Sequence, residues 1–209
     1  MLHDPAKTPI YHITHVANLP DIIAADGLHS DAIMATLKSK VIGYEHIKAR
    51  RLKVNRVTCC ANRFVGEFVP FYYCPRSPML FTINKGSTGL PAGCQKDIVH
   101  LVSNVAVAIA LGQPWAICKI NAAAGYVDAS SFSTDVTALD ELNWNAIRAT
   151  YWSEVVTQKS AEFLVADSFP WSAIQGIVCQ NSVTAAKVGA ILTGAKHQPP
   201  IEVKTGWYY

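Results

Sequence analysis

Glu162 opens the apolar segment Ala161-Glu-Phe-Leu-Val and is the only acid between Glu154 and Asp167. A carboxylate leading a strand of this composition loses water to its neighbours. It needs a cation or hydrogen-bond donors in exchange, and acids held that way concentrate at reactive sites; the plain alternative is a solvated strand end. Lys48, Arg50, Arg51, Lys53 and Arg56 put five cations into nine residues of a chain otherwise nearly balanced in charge. Such a run is either a solvated face or a patch for phosphates. In Tyr11-His12-Ile13-Thr14-His15, strand alternation sends His12 and Thr14 to one face and Tyr11, Ile13 and His15 to the other. His12 and Thr14 then either satisfy themselves in the core or offer hydrogen bonds to a ribose or an amide. The stretch Phe68-Val-Pro-Phe-Tyr-Tyr-Cys-Pro-Arg-Ser-Pro-Met-Leu crowds aromatics, prolines and one arginine together. Core packing explains its aromatics. It does not explain Pro75-Arg76-Ser77-Pro78, a rigid polar insert suited to a flat ring stacked beside a phosphate or hydroxyl anchor.

The elements that must position these groups alternate irregularly. Residues 10–14 read as an opening strand, and Asn18-Leu-Pro-Asp starts a helix with proline in its first turn and Gly27 as its stop. Residues 32–51 carry few breakers and read as partly helical with a basic end. Residues 68–74 have strand composition, but Pro70 cannot donate to a ladder, which predicts an edge strand or an irregular extended segment. Two strands, 98–101 and 115–120, flank a short Ala-rich helix at 105–110; residues 124–135 read as a loop and 139–151 as a helix. Strands at 162–166, 174–179 and 201–204 follow, with a helix at 182–192 capped by Ser182 and ended near Gly194. Without a regular βαβ rhythm, the pattern predicts an α+β fold with a mainly antiparallel or split sheet.

The chain has 209 residues, half of them hydrophobic and 16% charged, with 18 Lys and Arg against 15 Asp and Glu. That supports one domain over 1–209 with a core of its own, and a net charge of +3 excludes a histone-like polycation. The six cysteines contain no C-x-x-C pair, so they read as free thiols with no metal site, in a reducing cytoplasm. The N-terminus lacks a signal-peptide apolar core, and the longest apolar run, 98–111, is too short to span a bilayer. The expectation is a soluble, monomeric protein without membrane contact. No G-x-G-x-x-G, P-loop, H-E-x-x-H or G-x-S-x-G motif occurs.

In combination, Tyr11-His-Ile-Thr-His, Asn18-Leu, Asp26-Gly-Leu, His46-Ile-Lys-Ala-Arg-Arg, Val69-Pro-Phe-Tyr-Tyr-Cys-Pro-Arg-Ser-Pro-Met-Leu, Ala161-Glu-Phe-Leu-Val and Gly206-Trp-Tyr-Tyr resemble the DarT family. These are DNA ADP-ribosyltransferase toxins of bacterial DarT/DarG toxin–antitoxin systems. The resemblance implies an ADP-ribosyltransferase-like fold, a split, mainly antiparallel sheet around an NAD cleft with flanking helices. It implies transfer of ADP-ribose from NAD onto a base of single-stranded DNA, thymidine in the typical branch and guanosine in a related one. RNA or protein targets are the alternatives. NAD is then a substrate, no metal is needed, and a macrodomain antitoxin of the DarG type is a partner.

Residue by residue, the resemblance makes Glu162 the catalytic glutamate and His12, Ile13 and Thr14 part of an NAD-contacting strand, with Asp21, Leu28, Tyr72 and Ser77 as further NAD contacts. Arg51 best matches the catalytic arginine and an NAD contact; Arg50 lies one register away. Residues 124–160 correspond to the substrate-recognition region, where Trp144, Tyr151 and Trp152, together with Arg50, are the candidates for DNA. A carboxylate near the ribose stabilises positive charge developing there as nicotinamide leaves. A literal arginine base is disfavoured because guanidinium holds its proton, so Arg51 is expected to stabilise a developing thymine anion or the diphosphate.

Overall fold

The computed structural model describes residues 2–36, 45–87 and 91–209. Its first half contains β1 (Pro9–His15), α1 (Leu19–Ala24), β2 (Gly27–His29), α2 (Asp31–Thr36), α3 (Glu45–Lys53), β3 (Arg56–Val57), β4 (Arg63–Phe64), β5 (Phe68–Tyr72) and α4 (Pro78–Asn84). Then come β6 (Ile98–Asn104), α5 (Val105–Ala110), β7 (Trp115–Cys118), β8 (Phe132–Ser133), α6 (Trp144–Arg148) and α7 (Val156–Lys159). The chain closes with β9 (Glu162–Ala166), β10 (Ser168–Pro170), β11 (Gly176–Cys179), α8 (Ser182–Leu192) and β12 (Ile201–Val203).

Eight strands form one sheet in the order β12-β11-β6-β1-β5-β9-β7-β8. Every neighbouring pair is antiparallel except β11 and β12. The α+β, mainly antiparallel expectation therefore holds. β1 pairs with β6 along its whole length, from Pro9 opposite Asn104 to His15 opposite Ile98. With β5 it shares the register pair Tyr11 and Tyr72, so the sheet opens between these two central strands.

That opening explains Pro70, and it corrects the edge-strand expectation: β5 lies in the middle of the sheet. In an antiparallel strand a residue's nitrogen and carbonyl point to the same side. The Pro70 carbonyl accepts from His12 Nδ1 at 2.9 Å, so its donor-less nitrogen faces the gap, where no ladder bond is lost. The imidazole substitutes for the missing strand contact.

Alternation gives the sheet two unlike faces. Ile10, Phe71, Leu101, Phe163, Val165 and Ile117 point into the main core. On the other face, Phe68, Leu164, Ala166 and Cys118 belong to a second core, and Ile98 with Leu80, Ile83 and Tyr208 to a third, against which Ile13 packs. Tyr72 and Glu162, opposite each other in register, lie between these two smaller cores.

Several expected elements are revised. The helix expected at 139–151 is a 3-10 turn, Val136–Glu141, followed by the short α6, whose start Asn143 caps by accepting from Ala146 N. It cannot continue, because Lys159 Nζ, buried, donates to the carbonyls of Ile147 and Ala149 at 2.8 and 2.9 Å and takes the acceptors a further turn would use. The helical stretch at 32–51 is α2 and α3, and residues 37–44 lie outside the described residues, as does the Lys48 side chain. Asn181, not Ser182, caps α8, and the loop at 124–135 contains the edge strand β8. Among the described residues no helix is long and apolar enough to cross a membrane.

The C-terminal segment closes one side of the third core. Tyr208 is buried with its hydroxyl among the carbonyls of Ile98 and Val178 and Nδ1 of His100, while His100 Nε2 faces the Pro75 carbonyl at 2.9 Å. Burial pushes the His100 pKa down to about 4, against the weaker upward pull of the Pro75 contact. The unfolded chain therefore binds this proton more readily, so the stability His100 contributes is complete above about pH 6.5 and lost as pH falls towards 4. The whole effect is about 3 kcal/mol at about 1.4 kcal/mol per unit. Urea midpoints of the wild type should fall through this window, and His100→Gln should flatten that fall; an equally steep profile in the variant would remove His100 as its source.

Candidate active site

α3 ends in Arg50-Arg51-Leu52-Lys53, cations that complement the negative end of a helix dipole. Successive residues of a helix point about 100° apart, so adjacent arginines cannot share an environment. Arg50 is exposed and Arg51 buried. Arg51 Nη1 donates to Glu162 Oε2 at 2.9 Å, and Nε lies 3.9 Å from Asp31 Oδ2 at the start of α2. Its Nε and Nη2 have no hydrogen-bond partner among the described residues. Burial alone would lower the Arg51 pKa. The Glu162 carboxylate, helped by Asp31 and Tyr72, outweighs it and raises the pKa, so the guanidinium stays charged.

Glu162 is 2% exposed at the first position of β9. Its second oxygen accepts from the Ala122 backbone N–H at 3.1 Å. Across the strand pair, Tyr72 has its phenol pKa raised by burial and by the facing carboxylate, which keeps it a neutral hydroxyl. The His12 pKa is lowered, chiefly by burial, with Arg51 adding to the fall and the Pro70 carbonyl and Asp31 opposing it. A neutral His12 that donates from Nδ1 to Pro70 leaves Nε2 as an acceptor. The cluster thus combines a fixed cation with two uncommitted donor atoms, a buried carboxylate, a neutral imidazole acceptor and a neutral phenol. Its chemistry is the stabilisation of charge that appears and moves on a bound substrate, in a site that water enters poorly.

The structure brings Arg51, Tyr72 and Glu162 together, with His12 on the neighbouring strand near enough to feel Asp31 and Arg51, and gives other candidates different surroundings. Thr14 Oγ1 accepts from Asn18 Nδ2 at 3.2 Å. The Ile13 side chain packs in the third core and Leu28 in the main core. Asp21 is exposed on α1. Ser77 is fully buried as the cap of α4, accepting from Leu80 N. Arg50 Nη1 donates to the Ala123 carbonyl at 3.2 Å. Trp144 packs edge-on against Tyr73 and stacks on His3, with its indole N–H on the Leu139 carbonyl, and stays partly exposed. Trp152 packs against Phe81 and Tyr209. Tyr151 is 95% exposed. Sequence reasoning missed Asp31, Asn55 and the Ala122 N–H; an acid opening a helix and an asparagine closing one carry no local signal beyond capping. Among the described residues no group of His, Cys, Asp and Glu could hold a metal ion.

Comparison with known proteins agrees over nearly the whole chain. A family model described as "ssDNA thymidine ADP-ribosyltransferase, DarT" matches residues 11–209. A DNA ADP-ribosyl transferase of Thermus aquaticus is 38% identical over 207 residues, 98% of this chain and 90% of the relative. Thermus sp. 2.9 DarT in complex with ADP-ribosylated single-stranded DNA superposes with a TM-score of 0.89 at 34% identity, covering 98% of both chains. The same protein in complex with NAD+ gives 0.86 at 31% identity over 100% of both.

Two stability predictions follow from the burial of the ion pair. Glu162→Ala strands a buried guanidinium and should cost about 3–5 kcal/mol in urea unfolding, whereas Glu162→Gln, which keeps an acceptor and the shape, should cost clearly less. Equal midpoints for the two would mean that Arg51 is not held as described. Arg51→Ala should destabilise comparably to Glu162→Ala, and Arg50→Ala by no more than about 1 kcal/mol, since it gives up one part-buried hydrogen bond; the reverse order would exchange their assignments.

Proposed function

The chain belongs to the DarT family and is an NAD-dependent DNA ADP-ribosyltransferase, and on that premise we propose that it modifies thymidine in single-stranded DNA as the toxin of a toxin–antitoxin pair. The observation that carries the reading is the buried Arg51–Glu162 contact at 2.9 Å, with Arg51 Nε and Nη2 uncommitted among the described residues. Bound NAD supplies the ribose–nicotinamide bond and a leaving group that departs with the bonding pair. Glu162, anchored through both oxygens, faces the positive charge that develops on the ribose and accepts from a ribose hydroxyl. His12 Nε2 accepts a second hydrogen bond from the ribose or the carboxamide. The acceptor nitrogen of thymine forms the new bond to the ribose carbon as the bond to nicotinamide breaks, and its proton passes to water. Arg51, held protonated by Glu162 and Asp31, does not take that proton; its free donors stabilise the anionic thymine ring or the diphosphate.

DNA is held by few charges. At a net charge of +3, two or three phosphate contacts give a shallow salt dependence, about −0.7 per phosphate for single strands, so stacking must contribute about 1–3 kcal/mol per base. Tyr151, at 95% exposure, and Tyr126, at 66%, are the free aromatic surfaces in the recognition region. The antitoxin is a DarG-type macrodomain protein, and the enzyme acts as a monomer in the cytoplasm, where its cysteines stay free thiols.

Incubation with NAD and a mixed-sequence single-stranded oligonucleotide should release nicotinamide and add one ADP-ribosyl mass to DNA, and Glu162→Gln should lower the rate by about 100- to 1,000-fold. An oligonucleotide without thymine should stay unlabelled, and duplex should react poorly because extruding a base costs a few kcal/mol. Labelling of guanine, or of RNA at the same rate as DNA, would overturn the thymidine assignment.

A further inference from the structure

Asn55 lies two residues beyond the end of α3 and is 7% exposed. Its amide donates both hydrogens, to the Ala122 carbonyl at 2.7 Å and the Ala124 carbonyl at 2.9 Å. Its backbone N–H donates to the Arg50 carbonyl, and its carbonyl accepts from Val65 N. Arg50 reaches the intervening Ala123 carbonyl. Three consecutive carbonyls are therefore held by two side chains from the end of α3. The segment they hold is Ala122-Ala123-Ala124-Gly125, whose side chains, methyl groups at most, cannot anchor it themselves. Ala122 is the residue whose N–H binds Glu162 Oε1, and the far end is tied down where Tyr126 Oη meets Thr157 Oγ1 at 2.5 Å.

We propose that Asn55 is a positioning residue for the transfer reaction: by fixing segment 121–125 it keeps the Ala122 N–H on Glu162 and so sets the plane of the carboxylate that Arg51 holds from the other side. The inference rests on Glu162 being the reactive carboxylate. Two donors diverging from one short planar group are what two carbonyls spaced i, i+2 require. Aspartate offers none when ionised, serine one, and glutamine places them a methylene too far. A carboxylate released on one side turns away from the geometry in which it meets developing charge, and misplacement of about 1 Å costs about a hundredfold in rate.

The test compares wild type, Asn55→Asp, Asn55→Ser, Asn55→Ala and Glu162→Gln with NAD and a thymine-containing oligonucleotide, with kcat expressed per folded molecule. At pH 8, Asn55→Asp and Asn55→Ala should lose about ten- to a hundredfold in kcat with the KM for NAD nearly unchanged, and Asn55→Ser should fall between them and wild type. As pH falls towards 5, Asn55→Asp alone should recover relative to wild type, because burial against two carbonyl oxygens holds the new carboxyl above the ordinary aspartate range and its protonated form regains one O–H donor; a role in stability only would not make kcat per folded molecule recover in this way. Wild-type kcat in folded Asn55→Ala and Asn55→Ser, or parallel pH profiles for Asn55→Asp and Asn55→Ala, would overturn the proposal. If Asn55→Asp does not fold, the kcat order of Asn55→Ser and Asn55→Ala decides. Wild-type activity in Glu162→Gln would instead overturn the reading of the carboxylate itself, whatever the Asn55 variants do.

Discussion

A charged guanidinium and a charged carboxylate, both almost dry, meet at 2.9 Å, and much of the structure around them exists to make that tolerable. Removing two ions from water costs several kcal/mol each, and their attraction offsets this only when geometry and additional hydrogen bonds are good. Glu162 gains the Ala122 N–H; Arg51 gains the approach of Asp31. What is left over on Arg51, two buried donor atoms without partners among the described residues, is costly in the free protein. A bound group that supplied the missing acceptors would offset that cost.

The pair can sit there because the sheet is divided. Along β1 the ladder to β6 is continuous, and along β5 the ladder to β9 is continuous; between β1 and β5 it lapses. Each half carries its own small core on the site's face, and the polar residues Tyr72 and Glu162 occupy the interval that neither core fills. Pro70 and His12 maintain the lapse together: proline cannot bridge it, and histidine satisfies the carbonyl that bridging would have used. The buried ion pair is thus placed at a discontinuity in backbone hydrogen bonding, framed by rigid strands on both sides.

Residues 121–160 are organised differently, by polar side chains pinning irregular backbone. Lys159 captures the end of α6 from the end of α7, just before β9, so the segment bearing Trp144 and Tyr151 is tied to the strand that begins with Glu162. The aromatics there divide by burial: Trp144 and Trp152 pack against other rings of the protein, while Tyr151 and Tyr126 stay exposed.

Types and periods along the chain determined much on their own. Irregular alternation of strand and helix led to the α+β, mainly antiparallel sheet, β1 and β9 were legible from alternation and apolar composition, and the isolation of Glu162 marked it before any fold was known. Choosing between Arg50 and Arg51 from their neighbours alone was beyond reach, since adjacent helical residues diverge by about 100° and only the docking of α3 decides which is buried. Pro70 argued correctly against a ladder bond yet misleadingly for an edge, because whether a strand is central depends on partners far along the chain. The same distance hid Asn55 and Ala122: the contacts joining Arg51 to Glu162 and Asn55 to Ala122 span 111 and 67 residues. Local pattern reports what a residue prefers within a turn or a strand; which buried charge meets which donor is settled by packing, and only the tertiary structure carries that information.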